Sequence, residues 1–255
     1  VQAVVGAADR IYVGIGDATS VNRFAVFTLW DGALAPLGVP QNNPFCSCGY
    51  GGVATSIGET VYVFGNYGHA FDGDEWTELA YDRARKRGEA AITAYRGEIV
   101  LIGGRHFVGD DSNAISDTME AYDPRMDQWR DVPGGESPFG PIRNASATVS
   151  RDELFLVAPG EPIRVASWDA TRWHIETAAP LSSAGPRVAA FGSNLFVLDG
   201  RHTLARFDTV RRRWLDPIEI PEGTDMGLVV ADCTLWLVGR DGTELVFYRM
   251  GFQDS

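Results

Sequence analysis

The residues of this chain that could do chemistry are arginine, histidine, glutamate and a close pair of cysteines. One lysine, Lys86, stands against 21 arginines, so arginine carries nearly all the cationic chemistry. A guanidinium holds a carboxylate or phosphate through two parallel hydrogen bonds. The tetrapeptides "GGRH" (103–106) and "DGRH" (199–202) are nearly the same and contribute Arg105, His106, Arg201 and His202. Histidine and glutamate together could act as acid and base. "PFCSCGYGG" (44–52) sets Cys46 and Cys48 one residue apart, which raises metal, redox and disulfide chemistry. Two thiols alone do not complete a zinc site, and a three-histidine site needs each nitrogen about 2 Å from one ion. Nothing in the spacing of His69, His106 and His202 enforces that convergence. Nucleophile motifs, phosphate-binding glycine loops and zinc signatures are absent from the sequence, and no metal or cofactor is expected.

Bulk properties narrow the partners. The formal net charge is −12. Affinity for nucleic acid comes largely from basic side chains on phosphates, so no nucleic-acid partner is expected. There is no run of about 18 apolar residues, so no membrane span is expected. The start, "VQAVVGAA", is already apolar and suggests a trimmed N-terminus. On that reading a secreted or periplasmic location is favoured, and the chain is expected to be monomeric. The odd number of cysteines leaves at least one unpaired within a monomer.

The elements that must position these residues form a repeat. An aliphatic or β-branched triplet follows a short turn at "DRIYVGIG" (9–16), "GETVYVFGN" (58–66), "GEIVLIGG" (97–104), "DELFLVAPG" (152–160), "SNLFVLDG" (193–200) and "CTLWLVGR" (233–240). The intervals are those of propeller blades. A strand of small residues precedes each triplet: "AVVGAA", "GVATSI", "AAITAY", "ASATVS", "VAAF" and "GLVVA". Small side chains suit strands that crowd around an axis. An aromatic residue, an aspartate and then a tryptophan follow in four repeats, closing at Trp76, Trp129, Trp173 and Trp214. Aspartate starts a turn by bonding its own backbone, and tryptophan offers a large face to a neighbouring blade. The first repeat keeps Trp30 and Asp31 without a closing tryptophan. The sixth reads Tyr248-Arg249 where aromatic-aspartate is expected. The charges and alanines of 78–95 could suggest a helix, but the repeat demands a connection between blades there and Gly88 would interrupt it.

The order of small strand, "IYVxGG"-like strand, "YDP…W" hairpin and Pro/Arg loop resembles Kelch repeats. The third copy, "RGEAAITAYRGEIVLIGG…MEAYDPRMDQWRDVP", carries the likeness best, with Gly103-Gly104 and Tyr122-Asp123-Pro124. The resemblance implies an all-β, six-bladed propeller of four-stranded antiparallel blades, in one domain over 1–255. Its blades would span approximately 1–40, 41–84, 85–138, 139–183, 184–223 and 224–255. After "ELVFYRM" only "GFQDS" remains, so a fourth strand for the sixth blade is expected from sequence preceding Val1 or not at all.

Kelch-like blades gather two sets of loops at one mouth of the channel, and binding residues sit on such loops. The blade-to-blade loops would bring Cys46, Cys48, Tyr50, Arg87, Glu89, Arg143, Asn144, Arg187 and Asp225 there. The loops after each second strand would bring Tyr67, His69, Arg105, His106, Arg201, His202 and Arg240. Six arginines (87, 105, 143, 187, 201 and 240) therefore converge on one face of an acidic chain. The expectation is a binding module for an anionic ligand, either an acidic peptide or a carboxylated small molecule. Tyr50, Tyr67 and His202 would join the arginines in the site. The competing account of each arginine is a staple between blades. A carbohydrate-active alternative of the sialic-acid-epimerase type, suggested by the same resemblance, would use Glu89 and His106 as acid and base. In this frame Cys46 and Cys48 lie at the channel rim, either as free thiols or as a small Cys46–Cys48 ring, with Cys233 on the opposite face.

Overall fold

The structure is a computed structural model and describes residues 3–15, 23–30, 33–38, 52–65, 67–80, 87–106, 114–199, 203–221, 224–241 and 244–251. Within these residues all regular structure is β, arranged as a propeller of four-stranded antiparallel blades. The first blade is β1 (Ala3–Ala7), β2 (Arg10–Ile15), β3 (Arg23–Trp30) and β4 (Ala33–Gly38), and the second is β5 (Val53–Ile57), β6 (Thr60–Phe64), β7 (Gly68–Phe71) and β8 (Trp76–Glu78). The third is β10 (Ala91–Tyr95), β11 (Glu98–Ile102), β13 (Met119–Asp123) and β14 (Gln128–Asp131), and the fourth is β15 (Ser146–Ser150), β16 (Glu153–Ala158), β17 (Arg164–Trp168) and β18 (Trp173–Ile175). The fifth is β19 (Arg187–Phe191), β20 (Asn194–Leu198), β21 (Thr203–Asp208) and β22 (Arg213–Glu219). A last sheet has three strands among the described residues, β23 (Thr224–Ala231), β24 (Thr234–Asp241) and β25 (Glu244–Met250). The expectation of six four-stranded blades is thus corrected, among the described residues, to five such blades and one three-stranded sheet. A two-stranded ribbon, β9 (Arg87–Gly88) with β12 (Arg105–His106), stands beside the third blade and was not expected. No helix occupies the described part of 78–95.

The small-residue strands are the innermost ones. β1 packs between β5 and β23, β10 between β5 and β15, and β19 between β15 and β23. Crowding there is severe: a Cβ on Gly6 would lie 2.1 Å from the Val230 carbonyl oxygen. Two-residue turns join inner to second strands, with positive φ at Ala8 (51°), Gly58 (60°), Arg96 (54°), Arg151 (51°), Gly192 (59°) and Asp232 (46°). Such turns match the twist of the paired strands. The second strands are the most deeply buried: Val61, Val63, Ile99, Leu101, Leu156 and Leu237 are all inaccessible to solvent.

Packing between blades uses the tryptophans. The indole N–H groups of Trp129, Trp173 and Trp214 donate to the carbonyls of Ala80, Gly135 and Thr177, each of which follows the last strand of the preceding blade. Their rings stand about 5 Å from Tyr122, Trp168 and Phe207 respectively, at 5.1, 5.3 and 5.1 Å. The register corrects two assignments. In the last sheet Leu235 pairs with Met250, where Leu195 pairs with Phe207, so Met250-Gly251 and not Tyr248-Arg249 holds the aromatic-aspartate place. In the first blade Ile11 pairs with Phe27, which takes that place from Trp30.

Candidate functional site at the channel mouth

The axis holds a cavity of about 150 Å³ at the N-terminal ends of the inner strands. Its walls include the apolar side chains of Val4, Ala54, Ile92 and Leu228 together with the polar Ser146. Of the described residues lining it, Arg187 alone is charged. A second cavity of about 180 Å³ continues along the axis and contains no charged lining residue among those described.

Three blades build the rim beside Arg187. Glu89 immediately precedes Ala90, and Asn144 precedes Ala145, both of which line the cavity. The Asn144 backbone N–H donates to the Glu89 carbonyl at 2.7 Å, joining the third and fourth blades. Ser146 Oγ–H donates to the Pro186 carbonyl at 2.8 Å, joining the fourth to the fifth next to Arg187. Glu89 and Asn144 have φ of 57° and 55°. For a residue with a side chain the left-handed region costs about 1–2 kcal/mol, less for asparagine. Strain of this kind gathers where function needs it. Counting back from each inner strand, Gly185 holds the same place in the fifth blade as Glu89 and Asn144 do in theirs. Gly185 does not share their positive φ, so the sequence carries no signal for that backbone conformation.

The expected arginines fare differently. Arg105 Nη2 lies 2.9 Å from Glu89 Oε1, and Arg143 Nη1 lies 3.7 Å from Glu89 Oε2. Glu89 therefore gathers Arg105 and Arg143, with Arg143 about half-exposed. Arg187 stands at the first position of β19 in the cavity wall. Arg240 is half-buried near the end of β24 and is not among the cavity-lining residues.

Arg87 is a correction to the expected ligand-binding surface. It is inaccessible to solvent, donates to Ser116 Oγ at 3.0 Å and Thr118 Oγ1 at 2.8 Å, and pairs with Glu120. A buried charge survives only when paired and hydrogen-bonded, so Arg87 is a staple of the third blade. Arg212, from the β21–β22 hairpin, is another staple: it reaches Glu153 at 2.5 Å and Glu176 at 2.6 Å in the fourth blade.

His106 is half-buried in the ribbon opposite Arg87. Tyr67 is 41% exposed, with its ring 6.3 Å from that of His69. Burial pushes the His69 imidazole below its ordinary pKa, against a smaller opposing effect of Glu78. Cys233 is a free, exposed thiol in the β23–β24 turn. Cys46, Cys48, Tyr50, Arg201 and His202 lie outside the described residues. Among the described residues no group of three or more His, Cys, Asp or Glu could hold a metal ion, and no helix is long and apolar enough to cross a membrane.

Sheets around a lined axis define the chain as a β-propeller with a small polar-rimmed channel. The family model for the Kelch motif matches residues 86–135, the third blade with its ribbon. Beta-scruin of Limulus polyphemus is 29% identical over 103 residues, covering 40% of this chain and 10% of that protein. The chain thus spans about a tenth of that relative. A solved structure titled "Structure of YjhT" superposes with a TM-score of 0.60 at 16% identity, over 74% of this chain and 72% of that one. This chain is a β-propeller that carries a Kelch motif over residues 86–135.

Proposed function

We propose that the chain is a binding module whose channel mouth takes an anionic group, a carboxylate in the first instance. The observation that carries this reading is Arg187, the one charged residue among the described residues that line the cavity at the mouth. Arg143, about half-exposed beside Glu89, supplies a second cation at the rim. In a confined, apolar surround a charge-assisted hydrogen bond is worth more than on an open surface. The three-stranded sheet serves as a sixth blade in this reading, since β23 lies between β19 and β1 and Met226, Gly227 and Leu228 line the cavity. Kelch propellers commonly mediate protein interactions, so an acidic peptide and a small carboxylate are both admissible occupants of the mouth.

The test is calorimetric titration of glucuronate and of a triglutamate peptide into the wild type and Arg187→Ala. Loss of a charge-assisted bond of about 1.5–3 kcal/mol lowers affinity by tenfold or more. Arg125→Ala serves as the control, because Arg125 is 79% exposed on an outer turn and pairs with Asp123. Equal affinity in the wild type and Arg187→Ala would refute the proposal.

A further inference from the structure

Glu89 is the best-placed group at the mouth that the anion reading leaves unexplained. Its side chain is only 18% exposed and sits on a left-handed backbone. One oxygen, Oε1, is met by Arg105 at 2.9 Å. The other, Oε2, is buried and accepts no hydrogen bond among the described residues; Arg143 Nη1 stands 3.7 Å from it. A buried carboxylate oxygen without a donor is costly, and native structures keep few of them. The backbone N–H of Asn144, next to Arg143, donates to the Glu89 carbonyl at 2.7 Å and holds the two loops together. Arg143 is also the more exposed of the two cations, 51% against 25% for Arg105, so it is the one able to turn outward.

We infer that Glu89 is a specificity-determining residue that reads a hydrogen-bond donor on the ligand. The ligand class is a carboxylate carrying a neighbouring hydroxyl or ammonium group. Its anion draws Arg143 outward and engages Arg143 and Arg187. Its donor takes the position that Arg143 leaves and bonds Glu89 Oε2. Arg105 stays on Oε1 throughout, so the Glu89 charge is never left without a cation. A carboxylate without a donor gains the arginines but leaves Oε2 bare, and it binds more weakly. This inference rests on the proposed anion site and adds to it the group that selects among anions.

Two probes of like size separate the contributions: glucuronate, and cyclohexanecarboxylate, which lacks the hydroxyls. Lactate and alanine, which carry a hydroxyl and an ammonium respectively on the same carbon, are compared as a second pair and report which donor is read. Wild type is expected to prefer glucuronate over cyclohexanecarboxylate by about tenfold, the worth of one hydrogen bond to a charged group. Glu89→Met removes the acceptor and abolishes that preference. Glu89→Gln keeps a neutral acceptor, so part of the preference returns while affinity for both acids rises, because one negative charge has left the rim. Should Glu89→Met fold poorly, the comparison of wild type with Glu89→Gln still decides the matter. Equal affinity of wild type for the two acids, both lost in Arg187→Ala, refutes the role of Glu89 and leaves the anion site standing. An unchanged preference in Glu89→Met refutes it as well. No effect of Arg187→Ala on either acid overturns the anion site, and this inference falls with it.

Discussion

Four aspartates turn the outer hairpins by the same device. Asp72, Asp123, Asp169 and Asp208 each accept a backbone N–H from two residues ahead, and three of them accept a second from the next residue. All four carboxyls are held below their ordinary pKa of 3.8. Asp169 is lowered furthest, first by the Thr171 hydroxyl and then by His174, whose Nε2 lies 2.8 Å from Oδ2. A carboxyl with a depressed folded pKa binds fewer protons than the unfolded chain does over the interval between the two values. Its contribution to stability is therefore complete above the unfolded pKa and disappears as pH falls through the folded one. Asp169→Asn keeps an oxygen for the turn but removes the charge. The variant should be less stable than wild type at neutral pH, and the gap should close as pH drops from about 5. Urea unfolding across that range measures it, and a gap independent of pH would show that the turn draws nothing from the charge.

At the scale of the element, the hairpin tryptophans carry the contact from blade to blade. Trp129 is in ring contact with Tyr122 and Phe64, and its indole N–H reaches Ala80 of the preceding blade. Trp129→Phe keeps most of the ring and deletes the hydrogen bond, leaving the Ala80 carbonyl to water. It should cost about 1 kcal/mol in chemical denaturation, whereas an unchanged midpoint would mean that the bond is idle. These hairpins were legible in the sequence because aromatic, aspartate and tryptophan act on near neighbours and recur. The first and last hairpins were misread for the converse reason. Phe27 and Met250 are placed by pairing with Ile11 and Leu235, and no local motif marks them. The site was half legible. The loops that bear Glu89, Arg105, Arg143 and Arg187 followed from the repeat. Arg87 did not, because the short ribbon turns it onto Ser116, Thr118 and Glu120, which are 29 to 33 residues away. Sequence spacing gives a loop its address but not the direction of each side chain.

For the whole molecule, the question is how the ring of sheets is held at its three-stranded member. The inner strands meet closely there: a Cβ on Gly227 would stand 2.7 Å from Val4 Cγ2. Trp236 and Val238 bury themselves with Ile11 and Val13 of the first blade, so the core is continuous across this junction. The outer side differs. Phe71, Tyr122, Trp168 and Phe207, at one place in the third strands of four blades, are all buried, but Met250 in the same place is only half-buried. Among the described residues β25 pairs with β24 alone. An edge of this kind exposes a row of backbone N–H groups that inner strands keep bonded. Local opening there exposes little apolar surface that is not already half-wet, so it should require less free energy than opening of a covered third strand. Hydrogen exchange followed by mass spectrometry should therefore show β25 exchanging at least tenfold faster than β17 or β21, while β23 and β24 exchange as slowly as the inner and second strands of the other blades. Equal protection of β25 and β21 would mean that the outer edge is covered in solution, and that the ring is closed on its outside as well as at its axis.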